Sequence, residues 1–163
     1  MRKHSLTRIW VWCVGALIAL VSTATIATTT VPLRATIGFA EQVGAPSFGC
    51  ALTGTIDGFG TAGKLGALHL TSIDCINPLS ATQFVFVSDE VVLDFGNGDQ
   101  IFAAYGGTLS ANTGAIHGSY FIYGGSGRFE NARGIGTIEG FEGIDFTTGA
   151  GSGQVQLKGT LTY

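Results

Sequence analysis

The chain has 163 residues, room for one domain, with 26 glycines and only 12% charged residues, about half the usual charged fraction. The glycines follow no three-residue period, which excludes collagen, and the 11 Phe, 4 Tyr and 2 Trp exclude a disordered chain. From Thr28 onward there are five basic and eleven acidic residues, so no basic patch is available for nucleic acid or anionic lipid.

The first 27 residues have the pattern of a signal peptide. Arg2, Lys3 and Arg8 precede an uncharged stretch over 9–27, and small residues within 22–27 resemble those before a cleavage point. We therefore expect an extracytoplasmic protein, secreted, periplasmic or on the cell surface. An uncleaved anchor stays open as an alternative, in which case this segment alone would contact the membrane. Residues 28–46 are interpreted as an extended lead-in and 47–163 as the folded domain.

Two cysteines of the domain mark the first predicted hairpin. Cys50 begins one alternating apolar and polar run, and Cys75 ends the next. With the turn centred between Ala62 and Gly63, antiparallel pairing places the two cysteines opposite each other, as a disulfide requires. The sequence therefore predicts a disulfide between them, in keeping with export. Two cysteines without further Cys or His partners nearby do not suggest a zinc site.

The rest of the domain continues as short runs rich in aromatic and β-branched residues. These runs cover 82–88, 90–95, 99–109, 115–123, 134–141 and 153–163. The turn Asn97-Gly98 joins two of them, with Phe102 expected opposite Leu93. No segment of the domain shows a capped helical period. We predict an all-β fold, a single small antiparallel barrel of about eight strands, in preference to a sandwich.

One glycine-rich segment resembles a known family signature. The segment Tyr123-Gly-Gly-Ser-Gly-Arg-Phe-Glu-Asn-Ala-Arg-Gly134 is similar to a stretch of plant dirigent proteins, with related forms in allene oxide cyclases and in secreted bacterial proteins that share their barrel. In those bacterial proteins it follows a tract resembling Asn97–Thr108, and the chain ends like Leu157–Tyr163. The resemblance covers roughly Cys50–Tyr163.

This resemblance implies an eight-stranded antiparallel barrel with a central cavity, and it implies that homo-oligomers can form. In the plant proteins, carboxylates, polar residues and tyrosines of the cavity hold the substrate. The matching motif is a turn and the start of a strand, so these roles do not transfer to numbered positions here. The catalytic residues are therefore unknown at this stage, and architecture by itself does not determine an activity.

The candidate pocket residues are one histidine and three tyrosines. The register of the first hairpin directs His69 into the barrel beside Ile56, and the tyrosines offer stacking surface with a polar tip; the tyrosines are Tyr105, Tyr120 and Tyr123. The glycine-rich loop lacks the following helix that phosphate binding needs, and is interpreted as a structural turn formed by Gly124, Gly125, Gly127, Arg128 and Phe129. Arg128 is expected to bond carbonyl groups or a carboxylate beside that turn.

The spacing of the acidic residues does not identify a pair of catalytic carboxylates. They include Asp94, Asp99, Glu139, Glu142 and Asp145, which are interpreted as scattered surface acids. Around the Asn97 turn they are too few for a calcium site, and neither a metal nor a cofactor is predicted.

Four functions stay open on the sequence. The preferred one is a non-catalytic barrel that binds a small apolar ligand. The alternatives are a cyclase-like or dirigent-like enzyme that guides a reactive apolar intermediate, a structural or surface-interaction module with a filled core, and a small outer-membrane barrel. A buried carboxyl group with a raised pKa would favour the enzyme.

Overall fold

The computed structural model describes residues 28–47 and 49–163, so the signal peptide predicted over 1–27 lies outside the described residues. Within them no helix is long and apolar enough to cross a membrane. The strands are β1 (Thr30–Gly44), β2 (Leu52–Thr61), β3 (Ala67–Pro78), β4 (Gln83–Asp94), β5 (Gln100–Ser110), β6 (Ala115–Ser126), β7 (Arg133–Asp145) and β8 (Ala150–Thr162). Each strand pairs with the next and β8 pairs with β1, which confirms the predicted closed antiparallel barrel.

Strand β1 belongs to the barrel. The prediction that residues 28–46 form a lead-in ahead of the barrel is therefore wrong. Strand β1 pairs with β8 over Thr30–Gln42 and with β2 over Thr36–Gly44. Its buried side chains alternate with exposed ones along the strand, as a sheet with one face inside requires. Glu41 takes one of the inward positions, and this charge interrupts the apolar alternation by which such a strand is recognised.

The Cys50–Cys75 disulfide is present, although the register of its hairpin differs from the prediction. The Cα atoms of the two cysteines are 5.2 Å apart, but Thr53 is the direct partner of Cys75 on β2. The turn lies later in the chain than expected, because Gly63–Leu65 forms a short 3-10 helix between β2 and β3. This shifts the pairing by three residues, and an odd shift moves one strand's side chains to the other face.

The β4–β5 hairpin differs from its prediction in the same way. It turns at Asn97 and its two neighbouring glycines, all three with positive φ. Three turn residues take the place of the two predicted, so Leu93 pairs with Ile101 rather than with Phe102. Ile101 is therefore the residue that points inward, and it is fully buried.

The glycine-rich motif lies at one closed end of the barrel, where Gly127–Phe129 forms a short 3-10 turn and Gly124 and Gly125 still belong to β6. Phe129 is fully buried, and its ring contacts those of Phe95 (5.2 Å between centroids) and Tyr163 (5.0 Å). The Arg128 guanidinium covers the Phe129 ring at 4.6 Å and lies 3.2 Å from the Asp99 carboxylate. It also donates to a backbone carbonyl oxygen of the β2–β3 turn. We call this closed end the floor and the opposite end the mouth.

Loss of the disulfide should destabilise the barrel. Removing a cross-link that spans 25 residues of sequence should lower the free energy of unfolding by about 3 kcal/mol. Denaturant titration of the double variant Cys50→Ser/Cys75→Ser measures this loss. Reduction of the wild type should reproduce it, and reduction of the double variant should add nothing. A double variant as stable as the oxidised wild type would contradict the prediction.

Candidate functional site

The barrel encloses a cavity of about 370 Å³ that extends from above the floor to the mouth. This volume is in the range of pockets that hold drug-sized molecules. The wall of its deeper part is apolar and consists of Leu33, Ile37, Leu70, Leu93, Ile122, Ile138 and Leu157. Among the described residues, none of the side chains that line the cavity is a lysine, arginine or histidine.

Three carboxyl groups interrupt this apolar wall near the mouth. They are Glu41 on β1, Asp74 on β3 and Glu142 on β7, and all three are buried. We call this set the acidic belt. On each of these strands the next inward residue towards the mouth is aliphatic, namely Val43, Ile76 and Ile144 respectively. The belt therefore lies one inward position below the rim, with apolar side chains above it.

Two glycines make room for the belt. A Cβ atom at Gly54 of β2 would collide with Oε1 of Glu41, and one at Gly151 of β8 would collide with Oε1 of Glu142. The glutamate side chains thus lie flat over neighbouring strands in space that any other residue would fill. Neither Oε1 atom has a hydrogen-bond partner among the described residues.

Asp74 belongs to a buried hydrogen-bond network instead. Ser88 donates to the carbonyl oxygen of Ile73 (2.7 Å), Ser72 donates to Ser88 (2.9 Å), and Tyr105 donates to the Asp74 carboxyl. The Ser72 hydroxyl also lies 3.0 Å from Oδ1 of Asp74, yet its single proton cannot serve both acceptors. Ser72 therefore donates either to Ser88 or to the Asp74 carboxyl, which also accepts from Tyr105.

The surroundings raise the pKa of every carboxyl group in the belt. Burial, followed by the adjacent Glu142 carboxyl, raises the pKa of Glu41 to about 9. Burial raises the pKa of Asp74 to about 7, against the hydrogen bonds from Tyr105 and Ser72, which lower it. Burial also raises the pKa of Glu142, and the charge of Asp74 adds to this effect. Near neutral pH the belt therefore holds protons that exposed carboxyl groups would have lost.

Two of the predicted pocket tyrosines line the cavity. Tyr105 contacts the belt at Asp74. Burial, followed by the charge of Asp74, raises the pKa of Tyr105. Tyr120 lies below the belt over the neighbouring strands β7 and β8, and its hydroxyl occupies space left by Gly136 and Gly159. Burial raises the pKa of Tyr120 to about 12, and its hydroxyl has no partner among the described residues. Both tyrosines are therefore neutral near pH 7.

The other two predicted pocket residues lie on the outer surface. His69 stacks on Phe59 with 4.5 Å between ring centroids, and its Nε2 lies 2.8 Å from the Asp57 carboxylate. The prediction that His69 points inward is wrong because the three-residue shift of the first hairpin reverses its face. Tyr123 is 41% exposed and donates to the carbonyl oxygen of Asp89.

The belt was missed at the level of sequence. Glu142 was grouped with the surface acids, whereas Glu41 and Asp74 were not singled out. A usable signal exists, because each of the three acids occupies an inward position of its strand, in phase with buried apolar neighbours. An acid in phase with the apolar residues of a barrel strand is a candidate interior carboxyl group.

A scan against protein-family models and a search of the curated proteins find no match for this chain. The similarity to allene oxide cyclases and dirigent proteins thus stays a prediction based on the Tyr123–Gly134 motif. The homo-oligomer that it implies is likewise untested.

The raised pKa values make stability depend on pH. The folded protein keeps belt protons to higher pH than the unfolded chain, so the free energy of unfolding should fall as the pH rises from about 4 towards 9. Glu41→Gln, which cannot ionise, should raise the free energy of unfolding at pH 8 by about 1 kcal/mol or more and flatten this slope. Denaturant titrations at pH 5 and pH 8 measure both effects.

The exposed Glu90 provides the matched control, since Glu90→Gln removes an acid from the outer face of β4. It should leave the pH dependence unchanged. Equal slopes for the wild type and Glu41→Gln would refute the assignment of a buried, protonated Glu41.

Proposed function

We propose that this barrel binds a small, largely apolar molecule in its cavity. The observation that carries the proposal is the cavity of about 370 Å³, whose deeper lining is apolar apart from Tyr120 and whose carboxyl groups lie near the mouth. A purely structural module has no use for such a space, because protein interiors are normally filled to crystal-like density. An apolar interior is also the reverse of the polar lumen of outer-membrane barrels.

The proposed setting is outside the cytoplasm. The Cys50–Cys75 disulfide is of the kind that persists in oxidising compartments, and the basic and apolar pattern over 1–27 supports export. We further propose that the chain shares the allene oxide cyclase and dirigent barrel, on the strength of its motif and its eight closed strands.

Filling the cavity should abolish binding. Ile138→Trp places a larger side chain inside the barrel and should weaken binding of the neutral fluorophore prodan by about tenfold or more. Fluorescence titration measures the dissociation constant. Ile135→Trp is the matched control, since Ile135 lies on the same strand with 65% of its surface exposed. Equal prodan affinity in both variants, each shown to be folded by circular dichroism, would refute binding inside the barrel.

An enzyme of the cyclase or dirigent kind is the second candidate, and the belt is the observation that favours it. A protonated Glu41 beside other carboxyl groups provides an acid and a base in an apolar cavity, as proton transfer to or from an apolar substrate requires. In the non-catalytic alternative the same groups serve only to orient a ligand.

A substrate whose reaction needs only a base can distinguish the enzyme from the non-catalytic binding protein. In 5-nitrobenzisoxazole, a base removes the proton on C3 as the N–O bond breaks, and the product is a coloured cyanophenolate. The barrel should accelerate this reaction above buffer, and Glu142→Gln or Asp74→Asn should reduce the rate by about tenfold or more. The exposed Glu139, paired with Lys158 at 2.9 Å, supplies the control Glu139→Gln. A rate equal to that of buffer would remove the support for the enzyme.

A further inference from the structure

The belt has more hydrogen-bond acceptors than donors. Oε1 of Glu41 and Oε1 of Glu142 have no partner among the described residues, and the two side chains are only 7% and 6% exposed. A buried acceptor without a donor is costly. Among the other belt groups, the Tyr105 hydroxyl is already engaged with Asp74 and Ser72. No other protein group thus donates to these oxygens, so the two glutamates either keep protons of their own or take donors from an occupant of the cavity.

The ionisable groups near the mouth also favour an occupant that donates hydrogen bonds. Glu41, Asp74 and Glu142 face the cavity from β1, β3 and β7, while Tyr105 and Tyr120 face it from β5 and β6. The residues of β2, β4 and β8 that line the cavity are not titratable. No positive side chain among the lining residues pairs with the three carboxyl groups. A cationic occupant that ionises them would therefore be attracted strongly, because the surroundings have a low dielectric constant.

We propose that the ligand is an amphiphilic amine, whose ammonium group binds Glu41 and Glu142 while its apolar remainder fills the cavity below. This inference rests on the proposed ligand-binding function. An ammonium group donates three hydrogen bonds and accepts none, which matches the unpartnered oxygens. A hydroxyl offers one donor, and a carbonyl offers none. In the described part of the chain no three Asp, Glu, His or Cys side chains are arranged to ligate a metal ion, which favours an organic cation.

The position of the belt fixes the orientation of such a ligand. The carboxyl groups lie one inward position below the rim, and the apolar wall continues below them to Tyr120 and the floor. The ammonium group therefore lies near the mouth with the chain pointing inward. Bound there, it favours the ionised carboxyl groups, so amine binding should release protons from the belt to the solvent.

Three ligands of equal chain length test the charge of the head group: n-decylamine, n-decanol and decanoate. Each is titrated at pH 7.5 against the barrel preloaded with prodan. Decylammonium should displace prodan at a concentration about tenfold or more below that of decanol, and decanoate should be the weakest, because hydrogen bonds between charged groups are the strong ones. Calorimetry in buffers of different ionisation enthalpy should show proton release for the amine and none for decanol.

The double variant Glu41→Gln/Glu142→Gln keeps the shape of the belt and removes two of its ionisable groups. It should lose the preference for the amine and keep its affinity for decanol, whereas the exposed control Glu139→Gln should keep both. Decanol or decanoate binding as tightly as the amine, or a preference that persists in the double variant, would overturn the inference. If prodan binds in the barrel but the amine displaces it no better than decanol, this inference alone is refuted. If prodan does not bind, the proposed function is refuted.

Discussion

Closure of the sheet through the pairing of β1 with β8 is the constraint on which the rest of the structure depends. The first and last strands of the domain run side by side from Thr30 opposite Thr162 to Gln42 opposite Ala150. Without this pairing both strands would be edges, open to water and to other chains. With it, Glu41 of β1 becomes an interior residue, and Gly151 of β8 supplies the space that the neighbouring Glu142 occupies. The cavity and its chemistry thus follow from the closing seam.

The interior combines two features that oppose each other energetically. Apolar packing around the floor stabilises the fold, with Phe129 held between two other aromatic rings. Carboxyl groups placed in the same interior lower that stability whenever they ionise. Proteins tend to retain such unfavourable groups where a site needs them, because perturbed acids cluster at functional positions. The glycines that accommodate the glutamates indicate that the arrangement is built into the fold.

The sequence predicted correctly the features that depend on local pattern. It predicted poorly the strand registers, which depend on the position and length of the turns. Alternation and glycine turns sufficed for the all-β class, the barrel and the cysteine pair. The turn after β2 lies later in the chain than assumed, and the turn after β4 is one residue longer. The resulting odd shifts reversed the face of His69 and exchanged Phe102 for Ile101. Strand β1 and the belt were missed for one shared reason, since an acid at an inward position looks like a surface residue until the sheet is known to close around it.

The direction in which the chain enters the barrel has a consequence for how the protein is presented. Thr29 and Tyr163 bond to each other through their backbones beside the floor, at 2.8 and 3.0 Å. Anything joined ahead of Thr28 or behind Tyr163 is therefore attached at the sealed end, on the far side from the opening. An attachment at that end leaves the mouth, through which a small molecule would enter, facing away from the point of attachment. A fusion partner or an immobilising tag at either terminus inherits the same advantage.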